Sequence, residues 1–284
     1  MKKITFLILT LFSSTFIFAE ISPLEKEALI KLNESTNGSK WKNKWNLEGS
    51  VSNWYGVKII GDKVISIDLT NNNLKGELPL ELGNLIYLQK LKLTRNFITG
   101  PIPSTIGNLK ELKMLNIAFN KLSGKIPVTI GDLDSLVMLE LFMNQLSGEL
   151  PSEIGKLKEL KKLSLYNNEI SGTIPASIYE MQSLRILLLN SNKLTGELKK
   201  EVANLTLLET FSLFDNNMHG QVPLDIENLS KLKEMNISYN LFSGIVSKKL
   251  AKLDTLNMTM INEEGLAIAL PVKADKNSAL ASGE

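Results

Sequence analysis

The chain has 284 residues, 43% of them hydrophobic and 22% charged, a globular composition that excludes a disordered or collagen-like polymer. With 32 basic and 30 acidic residues its net charge is +2, too balanced for a protein that holds nucleic acid or an anionic membrane by bulk attraction. The absence of cysteine rules out a disulfide framework, a thiol nucleophile and a lipid-modified cysteine.

Residues 1–19, MKKITFLILTLFSSTFIFA, place Lys2 and Lys3 ahead of an apolar run ending at Ala19, before Glu20. This is the layout of a cleaved secretory signal, with the short Lys-Lys start of a bacterial leader. Ser13, Ser14 and Thr15 interrupt the run and disfavour a permanent anchor. No later stretch reaches the roughly 18–20 apolar residues that span a bilayer. Cleavage removes two lysines and no acid, taking 32 basic and 30 acidic residues to 30 of each. The expectation is an exported protein, periplasmic or extracellular, with no membrane insertion after cleavage and no nucleic-acid partner.

Residues 20–63 read as an N-terminal cap. SPLEKEALIKLNEST predicts an amphipathic helix with Ser22 as N-cap and Pro23 at its first position. Trp41, Trp45 and Trp54 follow, and their expected use is to plug the open end of whatever comes next rather than to stack on a sugar.

From 64 to 255 the chain repeats. Asn stands at 72, 96, 120, 144, 168, 192, 216 and 240, always at the same interval, and Gly follows four positions later each time. Positions −5, −3, +2, +6, +10, +13 and +16 from the Asn are apolar in all eight units; in the third they are Leu115, Ile117, Leu122, Ile126, Ile130, Leu133 and Leu136. Alternation at −5 and −3 predicts a short strand with one buried face, and the spacing of three from +10 predicts a helical or 3-10 turn. One such unit cannot close a core, but stacked units can, each strand pairing in parallel with the next. The recurrent Asn is expected to form a ladder that satisfies backbone groups in adjoining coils, and the Gly to mark a place that a Cβ would obstruct.

Residues 256–273 begin a ninth unit with Leu256 and Ile261 in register, but Glu264 falls where Asn is due and Ile268 where Gly is due. Alternating runs around Asn262 to Gly265 predict a hairpin that caps the last coil. The tail, 274–284, is small and polar and is expected to be disordered.

Units such as LKMLNIAFNKLSGKIPVTIGDLDS, residues 112–135, resemble the plant-type leucine-rich repeat, LxxLxLxxNxLxGxIPxxIGxLxx. The resemblance covers about 64–256. It implies an α/β solenoid: a right-handed coil with a parallel sheet on its concave face and helical or 3-10 turns on the convex side. Lys199 and Ser247 depart from the pattern's Pro, and Tyr179, Ala203, Glu227 and Ala251 from its Gly, changes expected to alter local turns only. The family's cap carries a cysteine pair that this sequence lacks.

Little in the sequence suggests catalysis. The one histidine, His219, reads as a solvated loop residue, so no histidine metal site or Ser-His-Asp set can be assembled around a second. No catalytic residue, metal or cofactor is expected. What remains is the concave surface, where the resemblance places positions −6, −4, −2 and −1 facing outward. There the sequence offers Met114, Phe119, Met138, Phe142, Met143, Tyr166, Ile186, Leu188, Phe214 and Tyr239, flanked at the ends by polar and charged residues. An apolar centre with a polar rim is the anatomy of a binding interface. Phe119 and Tyr239, at −1, have packing against the next coil as the competing use. The expectation is a non-catalytic module, monomer or homodimer, that binds a protein or peptide, with a glycan ligand or self-association as the alternatives.

Overall fold

A single coil leaves its leucines open above and below, so its core exists only once neighbouring coils are stacked against it. The computed structural model describes residues 21–273, apart from Thr255 and Glu263. The expected leader and the expected disordered tail lie outside the described residues.

Each repeat opens with a short strand, as in Met114–Asn116, Met138–Glu140 and Lys162–Ser164. These strands pair in parallel with a register shift of one full repeat: Leu115 lies beside Leu139, and Leu139 beside Leu163. The central residue of each strand is buried and its neighbours face outward. Among the described residues this sheet has nine strands, because Val57–Ile60 of the cap adds an antiparallel strand to the first repeat's Lys63–Asp68. On the opposite side the chain turns through five-residue 3-10 segments, from Leu80–Asn84 to Leu224–Asn228. The turns at Ala176–Glu180, Lys200–Asn204 and Leu224–Asn228 keep this form although they lack the Gly. In the eighth repeat an α-helix, Lys248–Leu253, takes the place of the turn, with Ser247 as its N-cap.

The Asn ladder forms as its chemistry requires. Asn144 Oδ1 accepts from the Leu122 amide of the preceding coil at 3.0 Å, and its Nδ2 donates to the carbonyls of Leu141 and Ile117. Asn168 repeats the pattern one coil later, with Leu146, Leu165 and Leu141. A side-chain amide has both donor and acceptor, so one residue type serves both sides of each junction.

A second stack of strands was not expected from the sequence. Just after the Asn, segments such as Phe97–Gly100, Lys121–Gly124, Gln145–Glu149 and Glu169–Gly172 pair in parallel along one edge of the coil. The repeating Gly closes this segment with φ between 73° and 92° in seven units and 137° at Gly76, a backbone state that side chains rarely adopt. A Cβ is also obstructed at most of them: on Gly76 it would meet the Ser35 carbonyl oxygen, and on Gly100 or Gly172 a Glu side chain of the preceding coil at 2.7 Å. The other recurrent Gly is tight against backbone as well: a Cβ on Gly131 would lie 2.3 Å from the Glu153 carbonyl oxygen of the next coil.

Both ends are sealed by distinct devices. The cap helix, Pro23–Ser35, starts with a capping box between Ser22 and Glu25. The same Glu25 carboxylate is buried and accepts from the Val64 amide at 2.9 Å, tying the helix to the first strand. Trp41, Trp45 and Trp54 are buried, with ring centroids 4.8 and 4.7 Å apart, and each indole N–H donates to a backbone carbonyl. They present no open ring face to a sugar. At the other end the buried Asp254 carboxylate accepts from the amides of Ile237, Leu256 and Met258 and from the Ser238 hydroxyl. Thr259–Ile261 and Ala267–Ala269 form an antiparallel hairpin beyond it. Leu256 departs from its expected core role and is 41% exposed, because the chain here serves the Asp254 turn rather than a ninth coil.

Candidate functional site

The open face of the nine-stranded sheet is built by four residues per coil, at −6, −4, −2 and −1 from the Asn. The last of these has a backbone property that the sequence does not announce. Asn71, Arg95, Phe119, Met143, Asn167, Ser191, Asp215 and Tyr239 all have φ between 52° and 58°. Asn and Asp tolerate this left-handed state; for Phe, Met and Tyr it costs roughly 1–2 kcal/mol. Large apolar groups therefore stand where backbone energetics would choose Asn or Gly.

The aromatic residues fall into two groups. Phe119 packs edge-on against Phe142 at 5.2 Å, and Phe142 stacks on Tyr166 at 4.4 Å. The Arg95 guanidinium caps this run, 5.4 Å from the Phe119 ring. Met143 is 37% exposed beside the stack, its sulfur accepting from the Asn167 amide. Phe214 and Tyr239 form a second pair, with centroids 5.2 Å apart. Between the groups the −2 and −1 positions hold Asn190 and Ser191, so the aromatic run is interrupted there, while Ile186 and Leu188 keep the −6 and −4 positions of that coil apolar. Phe119 is half-buried against Phe142, whereas Tyr239 is 40% exposed. Met114, Met138, Ile186 and Leu188 are half-buried on the strands themselves.

The expected apolar centre also contains a carboxylate. Glu140, in the middle strand, is 8% exposed; it accepts from the Asn116 amide and pairs with the Lys162 ammonium, each at 2.5 Å. Thr94 donates in turn to Asn116 Oδ1 at 2.7 Å, so a polar chain runs across successive coils of the sheet. The Ser164 hydroxyl beside Glu140 is buried with no partner among the described residues. Burial, and secondarily the Glu140 charge, raises the Tyr166 phenol above its ordinary pKa. Glu140, Lys162 and Asn116 are thus residues of the site that a search for apolar entries passes over. Reading the −4 positions for Asn116 and Glu140, and the −6 positions for Lys162, would have found them; the depth of Glu140 would not have been visible.

Toward the first coils the face is basic. Asp68 lies 3.1 Å from Lys92 and 3.8 Å from Lys90. Burial alone would raise its pKa, but the Thr70 hydrogen bond and the Lys92 charge outweigh that and hold it below the ordinary carboxylate value. His219, expected in a loop, sits exposed in the short strand His219–Gln221. Among the described residues no group of three or more His, Cys, Asp or Glu is placed to hold a metal, and no helix is long and apolar enough to cross a membrane.

Comparison with known proteins agrees with this geometry. A leucine-rich repeat region model matches residues 141–267, and leucine rich repeat models match 86–146 and 63–85. No curated protein matches the sequence. Among solved structures, the leucine-rich repeat ectodomain of the Arabidopsis thaliana membrane receptor kinase GASSHO1/SCHENGEN3, in complex with CASPARIAN STRIP INTEGRITY FACTOR 2, is 28% identical. That match covers 80% of this chain and 31% of the other, with a TM-score of 0.70. The plant peptide hormone receptor RGFR1, in complex with RGF2, is 31% identical over 73% of this chain and 32% of its own, with a TM-score of 0.63. A plant ice-binding protein, 22% identical over 90% of this chain and 99% of its own with a TM-score of 0.58, shares the fold. The chain spans about a third of the length of the two receptor structures.

Proposed function

We propose, from the premise that this chain is a leucine-rich repeat protein, that it is a non-catalytic recognition module whose concave sheet holds a protein or peptide ligand. The observation that carries this reading is the stack Phe119–Phe142–Tyr166 on the open sheet face, with Met143 beside it in left-handed backbone. The left-handed backbone recurs at this position in all eight coils; what supports a site is that Met143 keeps a large apolar side chain exposed there, beside the aromatic stack. The complex of the plant peptide hormone receptor RGFR1 with RGF2 supports the same reading. Contacts are assigned to Met114, Phe119, Met138, Phe142, Met143, Tyr166, Ile186 and Leu188, with Phe214 and Tyr239 as a second anchor. A sugar fits less well, because Phe142 and Tyr166 cover one face of each other at 4.4 Å. The leader over 1–19, and the ectodomain character of the matched receptor, support export to the periplasm or the medium.

The test uses a variant with Phe142→Ala, Tyr166→Ala and Phe214→Ala together. Peptides retained by the wild type from conditioned medium are sequenced, resynthesised and titrated calorimetrically against both proteins, with circular dichroism melts on each. The expected result is at least tenfold weaker binding by a variant that melts within a few degrees of wild type. Equal affinity would move the site off the concave face.

A further inference from the structure

The charges on the concave face are sorted by position, and their order constrains the ligand. The first two coils carry Lys42, Lys90, Lys92 and Arg95 and a single carboxylate, Asp68, which pairs with Lys92 and Lys90. Lys42 belongs to the cap but reaches the sheet face, donating to Asn71 Oδ1 at 2.7 Å. Four cations against one anion leave a local excess of three positive charges in a protein whose net charge is +2. The third to fifth coils carry the aromatic stack, where Lys162 is neutralised by Glu140. The seventh and eighth then expose Asp215 and Glu234. The face is therefore basic, then aromatic, then acidic along one direction.

We infer that this face reads an extended peptide segment in a fixed register, acidic where it crosses the second coil and apolar where it crosses the third to fifth. The inference rests on the concave-face reading above and adds the chemistry and register of the ligand. Strand spacing sets the register. Three spacings of about 4.8 Å separate the second coil from the fifth, about 14 Å, and an extended chain covers about 3.3–3.6 Å per residue. Acidic residues therefore lie about four positions from the residue that meets Tyr166. A uniformly charged polyanion fits poorly, since it would satisfy the second coil, gain nothing at the aromatic stack and be repelled at Asp215 and Glu234. A segment with varied side chains matches all three zones.

The test pans a phage-displayed library of random dodecapeptides on the full chain and three variants. The first combines Lys90→Glu, Lys92→Glu and Arg95→Glu. The second replaces the same residues by Gln, so that no new repulsion at Asp68 can unfold the coil. The third combines Phe142→Ala and Tyr166→Ala. Wild type is expected to enrich peptides with Asp or Glu about four positions from Phe, Leu or Met. Their affinity should fall at least tenfold in the Gln variant, and the Glu variant should select Lys or Arg at that position instead. Peptides that need Phe142 and Tyr166 but show no acidic preference, and bind the Gln variant unchanged, would overturn the register while leaving the concave site standing. Binding unaffected in all three variants, or no enrichment at all, would overturn the concave peptide site itself. A heparin oligosaccharide that binds as tightly as the selected peptides would replace the peptide by a polyanion.

Discussion

Replacing Asn144 by Ala removes one rung of the ladder that joins the coils, and the surrounding bonds set the size of the loss. Asn144 makes three close contacts, with the Leu122 amide at 3.0 Å and the carbonyls of Leu141 at 2.9 Å and Ile117 at 3.1 Å. Both carbonyls keep a second donor, because Asn168 reaches Leu141 and Asn120 reaches Ile117, each at 3.1 Å. Only the buried Leu122 N–H is stranded. An unmade bond of that kind costs about 1–3 kcal/mol, which is the expected destabilisation. At the last rung, Asn240→Ala strands the Met218 amide, and the Ile237 carbonyl loses its donor with no Asn in the following coil, where Glu264 occupies the position. Its loss should be larger. Asn144→Asp should cost more than Asn144→Ala at neutral pH, because a carboxylate would face two carbonyl oxygens. Urea unfolding of the three variants, followed by far-ultraviolet circular dichroism for the array and tryptophan fluorescence for the cap, measures these differences. A loss below about 0.5 kcal/mol for Asn144→Ala, the level of ordinary surface substitutions, would refute the ladder as the junction between coils.

Three further outcomes follow from local geometry. Gly131→Ala should destabilise well beyond Gly124→Ala in the same unfolding assay, since the first drives a Cβ to 2.3 Å from the Glu153 carbonyl oxygen, whereas the second meets nothing nearer than 3.8 Å and suffers only from φ +76°. Tyr179 occupies a place where earlier repeats have Gly; its hydroxyl is buried, and burial outweighs the opposing effect of the Lys199 backbone to push its pKa up to about 12. The folded state thus holds the proton more tightly than the unfolded one. That stability is full below about pH 10 and lost as pH rises toward 12, so wild type should lose roughly 2–3 kcal/mol relative to Tyr179→Phe across that interval in pH-dependent unfolding. Met143→Asn should leave stability unchanged or raise it by up to about 1 kcal/mol while weakening ligand binding, a divergence that a packing role for Met143 would not produce.

The coil was legible because its rules are local and repeated: a constant period, buried leucines and an Asn whose amide has one suitable use. The second sheet escaped notice because its segments are short and their one apolar residue, such as Leu146, looks like any core position of the unit. Among the candidate site residues, placement on the open face follows from the period, but the properties that matter do not. The gap at Asn190 and Ser191 is legible as two polar residues, but the left-handed backbone at Met143 and the depth of Glu140 are not encoded in hydrophobicity. The first is set by the turn that every repeat shares, the second by the neighbours that Asn116 and Lys162 supply from adjoining coils.

A photo-crosslinking amino acid in place of Phe142, with the same group in place of the convex residue Val128 as reference, tests the concave site most directly. Val128 is exposed on the 3-10 turn of its repeat, away from the sheet. Irradiation with a selected peptide should link it at position 142 and leave position 128 unlabelled. Labelling at 128 with none at 142 would contradict the concave site.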